Sequence, residues 1–438
     1  LMAGQKIAII GGGSAYVPGI LYSLANSGEA LAGSEIALMD IDRSRLPLMI
    51  ELGQGMVKDT QTHLIITGTT DLPQALEGAT FVLTNFRSGG LEGLCLDEVI
   101  PSKYNALGQE TTGPGGTFFA LRSIPQVLHL CQCIEDVCPD AWLINYVNPT
   151  NFVADAVRRT SKIKYIAICD GGGNNLRYSI PDFIGLKRQE VRVRAGGVNH
   201  HTWLMELHIG DEDGYPVLLA HLREPEARGR GELQAHLDFV LWMLDKYGII
   251  PANPTYLFPY FNYDLALAEY RTGHSLYNMF MAELPGHWAS FEAMSRGDRP
   301  IYMDSTKHHT DVGHGDLAVQ IIRAIVTNQA EEFHVNVPNE GCITNLPEGA
   351  IVEVPALVDA TGVKPFCMGK LPKSVLGLTQ SLIAWQELTV EAALSGDQDI
   401  VLQALLAHPW PLSISQAEKI CVDMLAAHAA HLPQFHLQ

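Results

Sequence analysis

The sequence predicts an α/β fold: an N-terminal doubly wound parallel sheet with a closely packed, mixed α+β, helix-rich C-terminal domain. Three observations carry this. Short apolar runs alternate with helical stretches over roughly the first 190 residues. The segment KIAIIGGGSAYVPGILYSLA reads as a strand, a glycine turn and a helix. The strand after it, EIALMDID, ends in acids. At 438 residues the chain exceeds what one hydrophobic core usually serves, so two domains are expected, 1–195 and 196–438.

Lys6 to Ile10 reads as a buried strand, Gly11, Gly12 and Gly13 as the turn, and Ser14 as a cap for the helix that follows. Asp40 and Asp42 close the second strand, where a carboxylate can hydrogen-bond an adenosine ribose. The glycine pattern departs from the usual dinucleotide fingerprint, because Tyr16 stands where the third small residue normally sits. A purely structural turn is the alternative reading. Further strands are expected in LIIT (64–67), FVLTNF (81–86), WLINYV (142–147) and YIAIC (165–169), completing a Rossmann-like sheet. From about Gly196 the pattern loosens. VRVRAGGVNHH and WLMELHI read as strands, REPEARGRGE as a surface loop or helix start, and Ala- and Leu-rich helices dominate after residue 260. With no clean linker, the domains are expected to pack intimately.

The composition is 47% apolar and 18% charged, that of an ordinary soluble globule. A net charge of −19 argues against nucleic acid or an anionic membrane as the main partner. No apolar run reaches membrane-span length, the N-terminus lacks a signal-peptide pattern, and eight cysteines do not form a dense disulfide framework. The expectation is a cytoplasmic protein with reduced thiols.

Candidate chemistry begins with Cys169 in IAICDGGGNN and His200 in GGVNHHTW. A thiolate and an imidazole suit a divalent transition metal, and an incomplete ligand set leaves positions for substrate. The plainer reading is a packed cysteine and a satisfied core histidine. TNFRSGGLEG offers Asn85 and Arg87, a guanidinium suited to phosphate, sulfonate or carboxylate, or merely to a surface salt bridge. In GQETTGPGGTFFALRSIP, the run Gly113-Pro114-Gly115-Gly116 precedes a helix whose N-terminus can hold an anion, or is only a connection. Asn148, before Pro149 in NYVNPT, can reach a sugar hydroxyl or nicotinamide, or cap a helix. His308, His309 and His314 match no common zinc spacing and read as a polar loop. His408, His428, His431 and His436 read as helix-face or tail residues. Cys131, Cys133 and Cys138 look helical, with core packing favoured over metal binding.

Together GGGSAYVPG, MDID, NFRSGGLEGLCLDEVIPSKY, GQETTGPGGTFFALRSIP, NYVNPTN, ICD, GVNHHTW and NVPNEGCITNLPEGAIVEVPALVD resemble glycoside hydrolase family 4, the NAD- and manganese-dependent glycosidases, over nearly the whole chain. The resemblance implies NAD at Gly11, Gly13, Ser14, Ala15, Tyr16, Asp40, Asn85 and Asn148. It implies Mn²⁺, or another divalent transition metal, on Cys169 and His200, and a sugar substrate, most like a 6-phosphoglycoside, at Arg87, Asn148 and Asn199. Asp170 looks like the general acid of the 6-phospho-α-glucosidases. The implied reaction is C3 oxidation, C2 deprotonation and elimination, water addition and re-reduction, with no net redox change. Most glycosidases use two carboxylates beside an oxocarbenium-like centre, and this family is an exception. The implied assembly is a homodimer or homotetramer.

Two departures from the family stand out. Gly171-Gly172-Gly173-Asn174-Asn175 replaces a more usual Pro-Ile pair, and Pro259 interrupts the tyrosine-rich segment TYLFPYFNYD, near which an expected arginine is missing. The C2 base therefore lies among Tyr260, Tyr263, Tyr256 and Asp264, with Tyr260 favoured. The alternatives on substrate are a 6-phospho-β-glucoside, an α-galactoside or a uronide. The alternatives on class are a simple NAD-dependent sugar or hydroxy-acid dehydrogenase and a non-catalytic nucleotide sensor.

Overall fold

The structure, a computed structural model, describes residues 4–224, 236–301 and 316–435. Its strands are β1 (Lys6–Ile10), β2 (Glu35–Met39), β3 (Ile65–Thr69), β4 (Phe81–Thr84), β5 (Trp142–Asn145), β6 (Lys164–Ala167), β7 (Val191–Val198), β8 (His201–Ile209), β9 (Glu212–Asp213), β10 (Ile250–Pro251), β11 (Glu331–Pro338), β12 (Ile351–Asp359) and β13 (Gly362–Pro365). The first six are parallel in the order β3-β2-β1-β4-β5-β6. The order reverses at β1, the topological switch point of a doubly wound dinucleotide-type sheet. Beyond β6 the same sheet continues, antiparallel, through β11, β12, β7, β8 and β10.

The expected parallel strands are all present; β1 ends where expected and β3 runs on to Thr69, but β4, β5 and β6 end earlier than their apolar runs. β4 stops at Thr84, β5 at Asn145 and β6 at Ala167. Asn85, Asn148 and Cys169 therefore lie beyond the carboxyl ends of their strands, where ligands bind in such sheets. β11, β12 and β13 fall where the sequence reading expected helices to dominate. β12 is buried nearly throughout, so it carries no alternation that would announce a strand.

Alternation along β1 separates two cores. Ile7 and Ile9 face a layer with Leu38, Leu83, the helices Val17–Ala25 and Leu46–Thr60, and Phe333 and Val335 of β11. Ala8 and Ile10 face the helices Gly113–Val137 and Thr150–Thr160, and beyond them Lys373–Ser395, Gln398–Ala407 and Ile414–Ala427. Each core thus draws on both halves of the sequence.

Several expectations are corrected. Ser14 does not cap the first helix. That helix starts at Val17, and Ser14 Oγ instead accepts from the Tyr16 N–H at 3.3 Å. His408 and His428 are buried at helix C-termini, although His431 is exposed. As expected, Cys131 and Cys138 pack in the core, and Cys133 lies half-buried beside it. His308, His309, His314, His436 and most of REPEARGRGE lie outside the described residues. Among the described residues no helix is long and apolar enough to cross a membrane.

Candidate active site

The glycine turn is held from below. Gly11 and Gly12 both donate their N–H to the Met39 carbonyl, at 2.9 and 2.8 Å, and Gly13 N–H donates to Asp40 Oδ2 at 2.8 Å. A side chain at Gly11 would run into the Asn85 carbonyl oxygen, so the turn and the end of β4 touch only because residue 11 is glycine. Asn85 Nδ2 is buried with no hydrogen-bond partner. An orphaned amide beside a glycine turn fits a cofactor that supplies the acceptor. Ala15 and Tyr16 follow, half-buried. Burial pushes the Tyr16 phenol up to about 12. Arg87 opposes the shift, and Glu110, Asp170 and Glu283 add to it. Tyr16 thus connects the nucleotide turn to the charged end of the site.

Cys169 Sγ lies 3.4 Å from His200 Nε2. Two ligands with bond lengths of about 2.3 and 2.1 Å, zinc-like values, span that separation at an angle of about 100°. His200 sits at φ +64°, uncommon for a residue with a side chain, at the turn between β7 and β8. Its Nδ1 is 2.7 Å from Thr111 Oγ1, and its ring stacks on Tyr256 at 4.3 Å. Donation from Nδ1–H to Thr111 would leave Nε2 bare toward Cys169, the tautomer a ligand needs. Burial pushes the Cys169 thiol up, and the charges of Glu353 and Asp170 push further. A cation is what would ionise it. Among the described residues no group of three or more His, Cys, Asp or Glu is placed to hold a metal.

Asp170 is buried and accepts from the Tyr146 hydroxyl at 3.0 Å. Tyr146 Oη in turn accepts the Ala318 N–H at 3.3 Å. Asn148 Oδ1 accepts the Thr150 N–H at 3.3 Å, so this amide does serve a helix start. Arg87 meets Glu110 at 2.5 Å, with Phe119 and Phe280 rings 5.1 and 5.5 Å from the guanidinium carbon. It is neither a surface salt bridge nor a bare cation. Asn199 Nδ2 is turned onto Glu353, at 2.7 Å.

The Gly113–Gly116 run is the buried first turn of Gly113–Val137, and the Gly113 N–H goes to His408 Nε2 at 3.2 Å. The anion role expected of that turn meets an imidazole already seated there. Tyr260 Oη is 2.9 Å from the same His408 nitrogen, and burial pushes its phenol well up. Tyr263 Oη accepts the Leu107 N–H at 2.9 Å, and Asp264 is exposed.

Sequence reasoning missed Thr111, Glu110, Tyr146, His408, Asn253 and Glu353. Glu353 had a signal, a lone acid within the apolar run IVEVPALVD. It is 1% exposed, and burial pushes its carboxyl up to about 7. Asn253, also buried, stands 3.5 Å from where a Gly171 side chain would begin. An open depression of about 410 Å³ lined by Gln5, Thr80, Phe81 and Trp142 lies at the opposite, amino ends of β1, β4 and β5, away from this chemistry.

Comparison with known proteins identifies the family. The description "Family 4 glycosyl hydrolase" matches residues 6–174, and "Family 4 glycosyl hydrolase C-terminal domain" matches 195–410. The chain is 30% identical over 436 residues to a probable 6-phospho-beta-glucosidase of Bacillus subtilis, covering 99% of this chain and 98% of that one. A 6-phospho-alpha-glucosidase from gut microorganisms, solved with NAD and Mn²⁺, superposes with a TM-score of 0.88 at 26% identity, covering 99% of this chain and 100% of that one. The 6-phospho-beta glucosidase of Thermotoga maritima, solved with manganese, NAD⁺ and glucose-6-phosphate, gives 0.85 at 26% identity, covering 98% and 99%. With both of its halves matched, the chain belongs to glycosyl hydrolase family 4.

Proposed function

We propose that the protein is an NAD⁺- and Mn²⁺-dependent 6-phosphoglucosidase acting on α-linked substrates. The observation that carries this reading is the Cys169–His200 pair, 3.4 Å apart, with Asp170 next in sequence and buried. Solved relatives named for both anomers hold NAD and manganese. The α assignment rests on Asp170, which resembles the acid of the α-acting members.

When bound, NAD⁺ and Mn²⁺ supply hydride transfer at C3 and Lewis-acid polarisation of the C3 oxygen. The Gly11–Gly13 turn, Asp40 and Asn85 would hold the dinucleotide, and Cys169 and His200 the cation. Thr111 keeps the His200 ring in place. Tyr260 takes the C2 proton. Asp170, hydrogen-bonded to Tyr146, gives a proton to the leaving oxygen as the C1–O bond breaks. Arg87, held by Glu110, would present its remaining N–H groups to a C6 phosphate, and Asn148 would serve both the sugar and the dinucleotide. One observation favours a second base. Tyr256 stacks on His200 at 4.3 Å, beside the candidate cation site.

The test is a set of nitrophenyl α- and β-glycosides, with and without 6-phosphate, assayed with NAD⁺, Mn²⁺ and reductant in D₂O. Cleavage of the 6-phospho-α substrate with deuterium at C2 of the product and no net NADH is expected. Steady NADH accumulation without glycoside cleavage would return the chain to the dehydrogenase reading. Tyr260→Phe and Tyr256→Phe then separate the two bases by which one abolishes C2 exchange.

A further inference from the structure

The two metal-ligand candidates ride on two loops far apart in sequence. Cys169 opens the turn after β6, and His200 occupies the turn between β7 and β8. One side chain reaches both loops. Glu353, on β12, accepts from Asn199 Nδ2 through Oε2 at 2.7 Å, immediately before His200. Through Oε1 it accepts the Gly173 N–H at 3.2 Å. Both partners are neutral, and the carboxyl is 1% exposed. A carboxylate so placed is costly to keep unless its hydrogen bonds do something apolar packing cannot.

The glycine run that departs from the family's usual Pro-Ile pair fits this arrangement. Gly172 has φ +61°, and a Cβ on it would lie 2.7 Å from Glu353 Oε1 and 3.0 Å from Thr202 Oγ1. No other residue type sits there without displacing the carboxyl. Asn174 secures the same turn from its far side, donating to the Cys169 carbonyl at 3.0 Å and the His334 carbonyl at 2.8 Å. The Cys169 loop and the His200 loop are thereby clasped to one central strand pair, β11 and β12.

We propose that Glu353 is the positioning residue that sets the Cys169–His200 separation through Asn199 and Gly173, and so tunes this site's affinity for a divalent cation. The proposal rests on the reading of Cys169 and His200 as metal ligands. Groups that orient ligands from behind typically contribute 10–100-fold in metal affinity.

The experiment titrates the metal-free full-length chain with Mn²⁺ alone, reading free Mn²⁺ by electron paramagnetic resonance, alongside thermal melting. Glu353→Gln should raise the Mn²⁺ Kd about 10–100-fold. Asn199→Ala removes one arm of the clasp together with Asn199's own hydrogen bond to the Cys169 thiol, and should raise it in the same direction. The double variant should fall short of the product of the two, because the Glu353–Asn199 contact is lost in both single variants. If Glu353→Gln fails to fold, Asn199→Ala carries the same readout. A merely structural residue would lower Tm and leave Kd alone. A folded Glu353→Gln with wild-type Kd, while Cys169→Ser binds weakly, overturns the clasp and spares the metal assignment. Wild-type Mn²⁺ affinity in Cys169→Ser overturns the metal assignment, and the clasp with it.

Discussion

Asp170 is useful in proportion to how poor the leaving group is. A sugar alkoxide needs a proton as the C1–O bond breaks, whereas a nitrophenolate does not. Asp170→Asn should therefore cripple turnover of disaccharide phosphates far more than of nitrophenyl glycosides, with C2 deuterium incorporation retained on both. Equal losses would mean that Asp170 positions sugar or metal instead. Arg87 gives a second residue-level prediction. Its pairing with the buried Glu110 means that Arg87→Ala strands a carboxylate, at a cost of about 3 kcal/mol of stability. Adding Glu110→Gln should return part of that loss in urea denaturation; a single variant as stable as wild type would contradict the pairing. Cys169, Asp170 and His200 were legible in the sequence because each sits in a short, distinctive segment. Glu353, Thr111 and His408 were not, although the first two lie inside segments that stood out, because each acts on residues 89 to 295 positions away. Arg87 stood out in the sequence, but its partner Glu110 did not.

At the scale of elements, the parallel strands announced themselves as short apolar runs bounded by turn residues, and the chain delivers them in the expected places. The antiparallel half did not. β11 and β12 lie between other strands and under helices, so their burial comes from neighbours no local pattern reveals. The helix Gly113–Val137 shows the converse case. Its opening glycines invite an anion, yet they are glycine because other groups press against them. A methyl at Gly113 would enter the Trp410 ring, and the Gly113 N–H is already given to His408. Gly113→Ala should thus cost on the order of 1–3 kcal/mol through overpacking, measured as a lowered Tm. An unchanged Tm would show that Trp410 can yield.

For the molecule as a whole, buried titratable groups set an acid limit. Burial holds His334 at about 3, and holds His408 and His428 below the ordinary histidine value. Because the folded values are depressed, the stability these groups contribute is complete above pH 6.5 and is lost as pH falls toward the folded values. Glu353, raised from 4.5 to about 7, works the other way: its contribution is complete below 4.5 and is lost as pH rises through about 7. Five lowered histidines, His201, His236, His334, His408 and His428, against carboxyls raised at Glu98, Glu353 and Glu387 leave a net uptake of protons on unfolding near pH 5.5, so stability should fall as pH falls through that range. Urea denaturation of the metal-free protein at pH 5 and pH 6 measures this slope, and greater stability at pH 5 would reverse the assignment.

The sharing of each core between both halves of the chain has a consequence for synthesis. The parallel strands and the helix Thr150–Thr160 leave the ribosome first, but the helices that cover their outer layer span Lys373 to Ala427. At 5–20 residues per second, that layer stays bare for about 10–50 s. The nascent N-terminal half must therefore wait, with apolar surface showing, for its own C-terminus. Its yield in the cell should depend on chaperone supply more steeply than the stability of the finished enzyme would suggest.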